Sequence, residues 1–169
     1  MSRSLVRSAV YGYINTPQIS GVDYVFPGIP FDQAGVAWDS IIPAGQTHRC
    51  FLVVIVNESA DWEREHVFVF DGAGGRRLVS YPVSLEIYFE DISGDPLAAL
   101  TVQEQTLDNI AARLRADPSL GQPSTSGIVA AAVPELKVNP GILERQGEGD
   151  PFVSWSAIDF SVSVYEFST

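Results

Sequence analysis

Three side chains in this sequence have the chemistry of metal ligands: His48, Cys50 and His66. A tetrahedral zinc site takes four such ligands at short, paired spacings. The spacings here match no such pattern and no fourth ligand stands out, so the three read as unrelated sheet residues and no metal is expected. Glu86 and Glu90 are the next possibility, as a carboxylate pair for acid–base work. On an extended strand, positions i and i+4 lie roughly 13 Å apart. That is too far for a retaining glycosidase pair and long for an inverting one. A solvated or subunit-facing strand is the simpler reading. The run GAGGRR at 72–77 has the glycines to expose N–H groups to a phosphate. It falls in a hairpin, however, and lacks the residue order of a phosphate-binding loop. A turn flanked by Arg76 and Arg77, which can pair with acidic groups on a partner, explains it as well. No G-x-S-x-G motif occurs, and a lone cysteine with two histidines yields no evident Cys–His dyad. The expectation is a protein without catalytic residues and without a cofactor.

Charge narrows the classes of partner. The 169 residues carry 21 acidic and 10 basic side chains, a formal net charge of −11. Lys137 is the sole lysine, and the other basic residues are arginines. Nucleic-acid binding by phosphate neutralisation needs a basic footprint, and so does docking on anionic lipid. Neither fits. A surface that must not stick to passing DNA does fit, and so does plain solubility at negative charge. Charged residues make up 18% of the chain and hydrophobic ones 46%. A soluble domain averages about 25% charged, so part of this surface is expected to be covered by partners. The single Cys50 opens the apolar run FLVVIV and reads as a small buried hydrophobe. No apolar run approaches the ~18 residues needed to span a bilayer, and the first residues lack a signal-peptide core. A reducing cytosol is the expected place of synthesis.

These residues must be positioned by a small set of elements. Ser4 to Ile14 reads as an amphipathic helix with Leu5, Val6, Ala9, Val10 and Tyr13 on one face. A short strand follows at Val22 to Phe26, and residues 27–49 read as a long loop rich in proline and glycine. That loop carries Phe31, Trp38, Ile41 and Ile42 and is too apolar for a solvated linker. Cys50 to Val56 reads as a central strand buried on both faces. His66 to Phe70 is a further strand, with a hairpin tip at 71–75. Leu78 to Asp91 alternates cleanly: Val79, Tyr81, Val83, Leu85, Ile87 and Phe89 on one face, Ser80, Pro82, Ser84, Glu86, Tyr88 and Glu90 on the other. Pro82 marks an edge or a bulge, since it lacks an N–H.

Asp95 then caps a long helix that Pro96 opens and Asp117-Pro118 closes. Its expected buried stripe is Leu97, Leu100, Glu104, Leu107, Ile110, Ala111 and Leu114. Ile128 to Val133, Leu136 to Asn139 and Phe152 to Phe167 are read as strands. In the last of them the apolar residues change phase near Ala157-Ile158, which predicts a bulge there. The order of elements predicts an α+β fold in one domain over residues 1–169: a single mixed or antiparallel sheet, with the short N-terminal helix and the long helix packed on one face. The other face has no helix left to cover it, which predicts an oligomer or a larger assembly.

At this level of pattern the chain resembles the tail terminator, or tail-completion, proteins of long-tailed bacteriophages. The resemblance lies in the short helix from Leu5 to Tyr13, the V-F-P-G-x-P segment at Val25 to Pro30, and a two-strand hairpin. It continues through the strand–helix unit ending in TLDNIAARLRADPSL at 106–120 and a closing Val/Phe strand. It implies a small structural virion protein that forms a hexameric ring at the head-proximal end of the tail tube. Its partners would be further copies of itself, the tail tube protein and the neck or connector proteins, with DNA only as cargo passing through the channel and no membrane. Assembly would take place in the host cytoplasm. A head–tail connector or neck subunit is the alternative within assembly proteins. A small-ligand β-rich module or an enzyme is the alternative outside them. Candidate interface residues are Trp62, Arg76, Arg77, Tyr88 and Trp155, which are aromatic or arginine side chains near loops and strand ends.

Overall fold

A computed structural model of the protein describes residues 2–28, 46–56, 67–70, 75–123, 126–131 and 136–167. The elements in chain order are α1 (Ser2–Asn15), β1 (Tyr24–Phe26), β2 (His48–Val56), β3 (Val67–Phe70) and β4 (Gly75–Asp91). They continue with α2 (Pro96–Ala116), β5 (Ile128–Ala131), β6 (Lys137–Asn139) and β7 (Phe152–Phe167). The strands form one seven-stranded sheet whose main path is β1-β2-β4-β7-β5. β3 extends the β2 flank of β4, and β6 shares the outer flank of β7 with β5. Among the described strands only β1 runs parallel to its neighbour, so the sheet is mixed. The α+β architecture is the one the sequence predicts.

The two long strands, β4 and β7, pair without a break from Arg76↔Phe167 to Asp91↔Phe152. This corrects the bulge expected near Ala157. The residues of β7 alternate strictly, with Phe152, Ser154, Ser156, Ile158, Phe160, Val162 and Val164 all buried on one side. What changes along the strand is the chemistry of the buried face, which turns polar at Ser154 and Ser156. The irregularity lies instead in β5, between Ile128 and Ala130. Pro82 sits mid-strand opposite Ser161. On its other flank the β2 ladder ends at Val83 and the β3 ladder begins at Leu78. A residue without an N–H therefore stands where that flank of β4 has no partner among the described strands, locally an edge as the sequence predicts, and the β7 ladder shows no bulge there.

Both helices pack on one face of the sheet. There Val6, Val10 and Ile14 of α1 and Leu107, Ile110 and Leu114 of α2 meet Leu52, Val54, Leu85, Ile87, Phe89 and Ile158 in a single core. The helices also hold each other. The Tyr13 hydroxyl donates to the carbonyl of Arg113 at 2.9 Å, and the Arg113 guanidinium lies 4.2 Å from the Tyr13 ring centre and donates back to the Tyr13 and Thr16 carbonyls. Asp95 caps α2 by accepting from the N–H groups of Leu97 and Ala98.

The second half of the α2 stripe is as expected, but the first half is rotated. Leu97 is 71% and Leu100 39% exposed, and Glu104 is exposed, while Ala99, Gln103 and Thr106 are buried. Gln103 is drawn inward by the two buried serines of β7: its Nε2 donates to Ser154 Oγ at 2.7 Å and Ser156 Oγ at 3.3 Å. An apolar count alone points away from that face, because the serines that accept from the buried amide nitrogen lie 51 and 53 residues downstream in sequence.

A candidate interface on the helix-free sheet face

Cross-strand pairing places four aromatic residues in one transverse row. Tyr24 pairs with Phe51, Phe51 with Tyr88, and Tyr88 with Trp155, so the row crosses β1, β2, β4 and β7. Directly paired residues share a face, and this face is the one opposite the two helices. Adjacent ring centres lie 5.8 Å, 5.9 Å and 5.2 Å apart. Phe51 and Tyr88 stack, and Trp155 meets Tyr88 edge-on. Phe26 joins the row beside Tyr24 and Phe51. Exposure is graded: Phe51 is fully buried, Tyr88 is half-buried, and the row ends in Tyr24 at 40% and Trp155 at 54% exposed.

Paired polar groups flank the row. Arg49 and Glu90, opposite each other in register, form a buried ion pair through Nε and a terminal guanidinium nitrogen to Oε2, and the Tyr88 hydroxyl donates to the same oxygen. Further along β7, Asp159 accepts from Ser84 Oγ at 2.7 Å and from Asn139 Nδ2 at 2.9 Å. Burial of an ion pair is tolerated only when both partners stay in place, so Arg49 and Glu90 fix β2 against β4 beneath the aromatic row.

Trp155 is held from the outside by the segment that follows β6. Gly141 passes so close that a Cβ there would sit 1.8 Å from the Trp155 carbonyl oxygen. Its N–H donates to Ser156 Oγ at 2.9 Å, and its carbonyl accepts from Gln103 Nε2 at 3.2 Å. A glycine is required by that approach. The indole is therefore pinned at its backbone while more than half of the residue stays open.

Of the interface candidates read from sequence, Tyr88 and Trp155 come together as direct partners. Arg76 and Arg77 lie on β4 between β3 and β7, away from the row by register. Trp62 and His66 fall outside the described residues, as do positions 29–45 of the long loop and 71–74 of the hairpin tip. The sequence reading missed Tyr24 and Phe51. Phe51 sits inside a run of apolar residues, and only the register with Tyr88 separates it from the helix-side core.

His48 and Cys50 share the helix-covered face, where His48 stacks on Phe89 and Cys50 is fully buried. Burial, reinforced by the nearby Asp23 carboxylate, pushes the Cys50 thiol well above its ordinary range, which keeps it from acting as a thiolate. Among the described residues no three or more His, Cys, Asp or Glu side chains gather as a metal site. Among the same residues no helix is long and apolar enough to cross a membrane.

No family model matches this chain, and no curated protein matches it. Among solved structures, it is similar to the sheath/tube terminator of an extracellular contractile injection system (PVC) in its extended state, with 13% sequence identity and a TM-score of 0.41. That likeness covers 100% of this chain, which spans 57% of the other.

Proposed function

We propose that this chain is a structural virion protein, a tail terminator of a long-tailed bacteriophage. In this reading it forms a hexameric ring at the head-proximal end of the tail tube and joins the tube to the neck. The observation that carries the reading is the helix-free sheet face, with an aromatic row running across four strands to a Trp155 that is 54% exposed. Large aromatic side chains with an open end are what assembly interfaces use as anchors. The sequence pattern shared with tail-completion proteins supports the same assignment. The net charge of −11 acquires a use in it, since an acidic channel wall lets DNA slide without being held.

The test is the size of the purified protein together with the phenotype of its loss. Light scattering is expected to give about six subunits, and negative-stain images of lysates lacking the protein to show tails of abnormal length. A strict monomer with normal tails in its absence would overturn the reading.

A further inference from the structure

Glu86 stands on β4 in the middle of the helix-free face. Its register partners are Val53 on β2 and Ala157 on β7, both apolar, and the residue is half-buried. Among the described residues no hydrogen bond or ion pair reaches its carboxylate. Of the other carboxylates on this face, Glu90 pairs with Arg49 and Asp159 accepts from Ser84 and Asn139, while Glu144, bridged to Val153 beyond the row, is exposed to solvent. Lys137 stands opposite Asp159 in register. Among the carboxylates of the described strands on this face, Glu86 is thus the one with no hydrogen-bond or ion-pair partner, and it stands beside the aromatic row. Trp155 is its diagonal neighbour across β4 and β7, because Tyr88 pairs with Trp155 and Glu86 with Ala157. Diagonal neighbours lie about 7 Å apart.

A half-buried carboxylate that far from an open indole is a matched site for one kind of group. A guanidinium stacks on the face of Trp, and the same planar group pairs with a carboxylate through two N–H donors. An ammonium is more strongly hydrated and offers no flat face. Charge selects the partner in the same direction, since a chain of net −11 is complementary to a basic surface. We infer that this face docks a basic protein partner through an arginine that lies over the Trp155 ring and pairs with Glu86. The inference rests on the reading of this face as an assembly surface and supplies the chemistry of what the face meets.

The test uses the whole chain with 5-fluorotryptophan at its three tryptophans, the Trp155 signal being assigned with Trp155→Phe. The probe is the capped peptide Ala-Arg-Ala, with Ala-citrulline-Ala as the uncharged isostere. The Trp155 resonance is expected to shift saturably with the arginine peptide. Binding should weaken about tenfold in Glu86→Gln and with the citrulline peptide, the size of one charge-assisted pair. Glu86→Gln is nearly isosteric, and an unchanged unfolding midpoint shows that it folds. Equal binding of both peptides, equal binding to Glu86→Gln, or no saturable shift would overturn the proposal. So would a Trp155→Arg variant that turns a ring into monomers while the arginine peptide leaves Trp155 untouched, because the face would then be a contact between copies. Light scattering of the unmodified protein reports the ring separately, so failure of the arginine site and failure of the ring reading are told apart.

Discussion

Successive residues of β4 face two different environments. Val79, Tyr81, Val83, Leu85, Ile87 and Phe89 lie under α1 and α2 and are all but inaccessible. Ser80, Pro82, Glu86 and Tyr88 look the other way and stay half-buried. The covered face is held by apolar packing, which is non-directional and tolerant of which residue supplies it. The helix-free face is held by aromatic stacking, the buried Arg49–Glu90 ion pair and side-chain hydrogen bonds, which depend on register. One face thus specifies that a sheet and two helices form. The other specifies how the strands align, and it leaves Trp155 and Glu86 available.

The comparison breaks most visibly if the covered face is emptied. Leu85 is fully buried at the centre of the sheet. Leu85→Ala is expected to destabilise the fold by about 4 kcal/mol, from lost transfer energy plus the cavity left behind. Denaturant unfolding followed by far-UV circular dichroism measures it. A loss below about 1 kcal/mol would mean that the helices do not press on this strand.

Glu90 probes the opposite face at nearly the same scale. Glu90→Ala removes the carboxylate that pairs with the buried Arg49 guanidinium, which costs about 3 kcal/mol. The double variant Arg49→Met with Glu90→Leu should recover most of that, because an apolar pair of similar volume avoids the desolvation. If the single variant were neutral, the helix-free face would contribute no register control. Recovery in the double variant separates the loss of a charge partner from the loss of packing.

The fold was legible because it rests on periodicity. The alternation over Leu78 to Asp91 and the caps at Asp95-Pro96 and Asp117 are local signals, and each element appears within a few residues of its expected bounds. The errors arise where a buried position is polar. Gln103 Nε2 donates to Ser154 and Ser156 across the sheet–helix interface, so α2 turns Leu97 outward and β7 keeps its phase. Neither consequence can be read from one segment alone. The interface row was half legible for a related reason. Tyr88 and Trp155 stand out as aromatics in polar surroundings, but their pairing, and the extension to Phe51 and Tyr24, is a property of register between distant strands.

That polar cluster is itself a smaller test of the contrast. Ser156→Ala removes the acceptor of the Gly141 N–H and one acceptor of Gln103. A buried donor left unsatisfied costs about 2 kcal/mol. The variant should also speed hydrogen exchange at the Gly141 amide while leaving exchange in β2 unchanged. Uniform acceleration across the sheet would show instead that the cluster is integral to the core and does not merely fasten the segment beside Trp155.

The smallest effect is expected where the covered layer ends, at the turn after α2. Asp117 Oδ1 accepts from the Ser119 hydroxyl at 2.6 Å and its N–H at 2.8 Å, and Oδ2 accepts from the Gly121 N–H at 3.0 Å. The Ser119 side-chain bond, then its backbone bond, outweigh a slight desolvation and hold the Asp117 carboxyl below its usual value, with Gly121 and Arg113 adding to the effect. A carboxyl whose pKa is lower folded than unfolded stabilises the fold above its unfolded value of about 3.9, and that contribution is lost as pH falls through the folded value. Asp117→Asn should therefore be slightly less stable than the parent at neutral pH, with the gap closing in acid. Because the group is only partly buried in a surface turn, solvent screening keeps the difference small. Unfolding midpoints measured from about pH 7 down to about pH 2 would show it. A gap that stays constant with pH would mean that the turn depends on side-chain shape and not on charge.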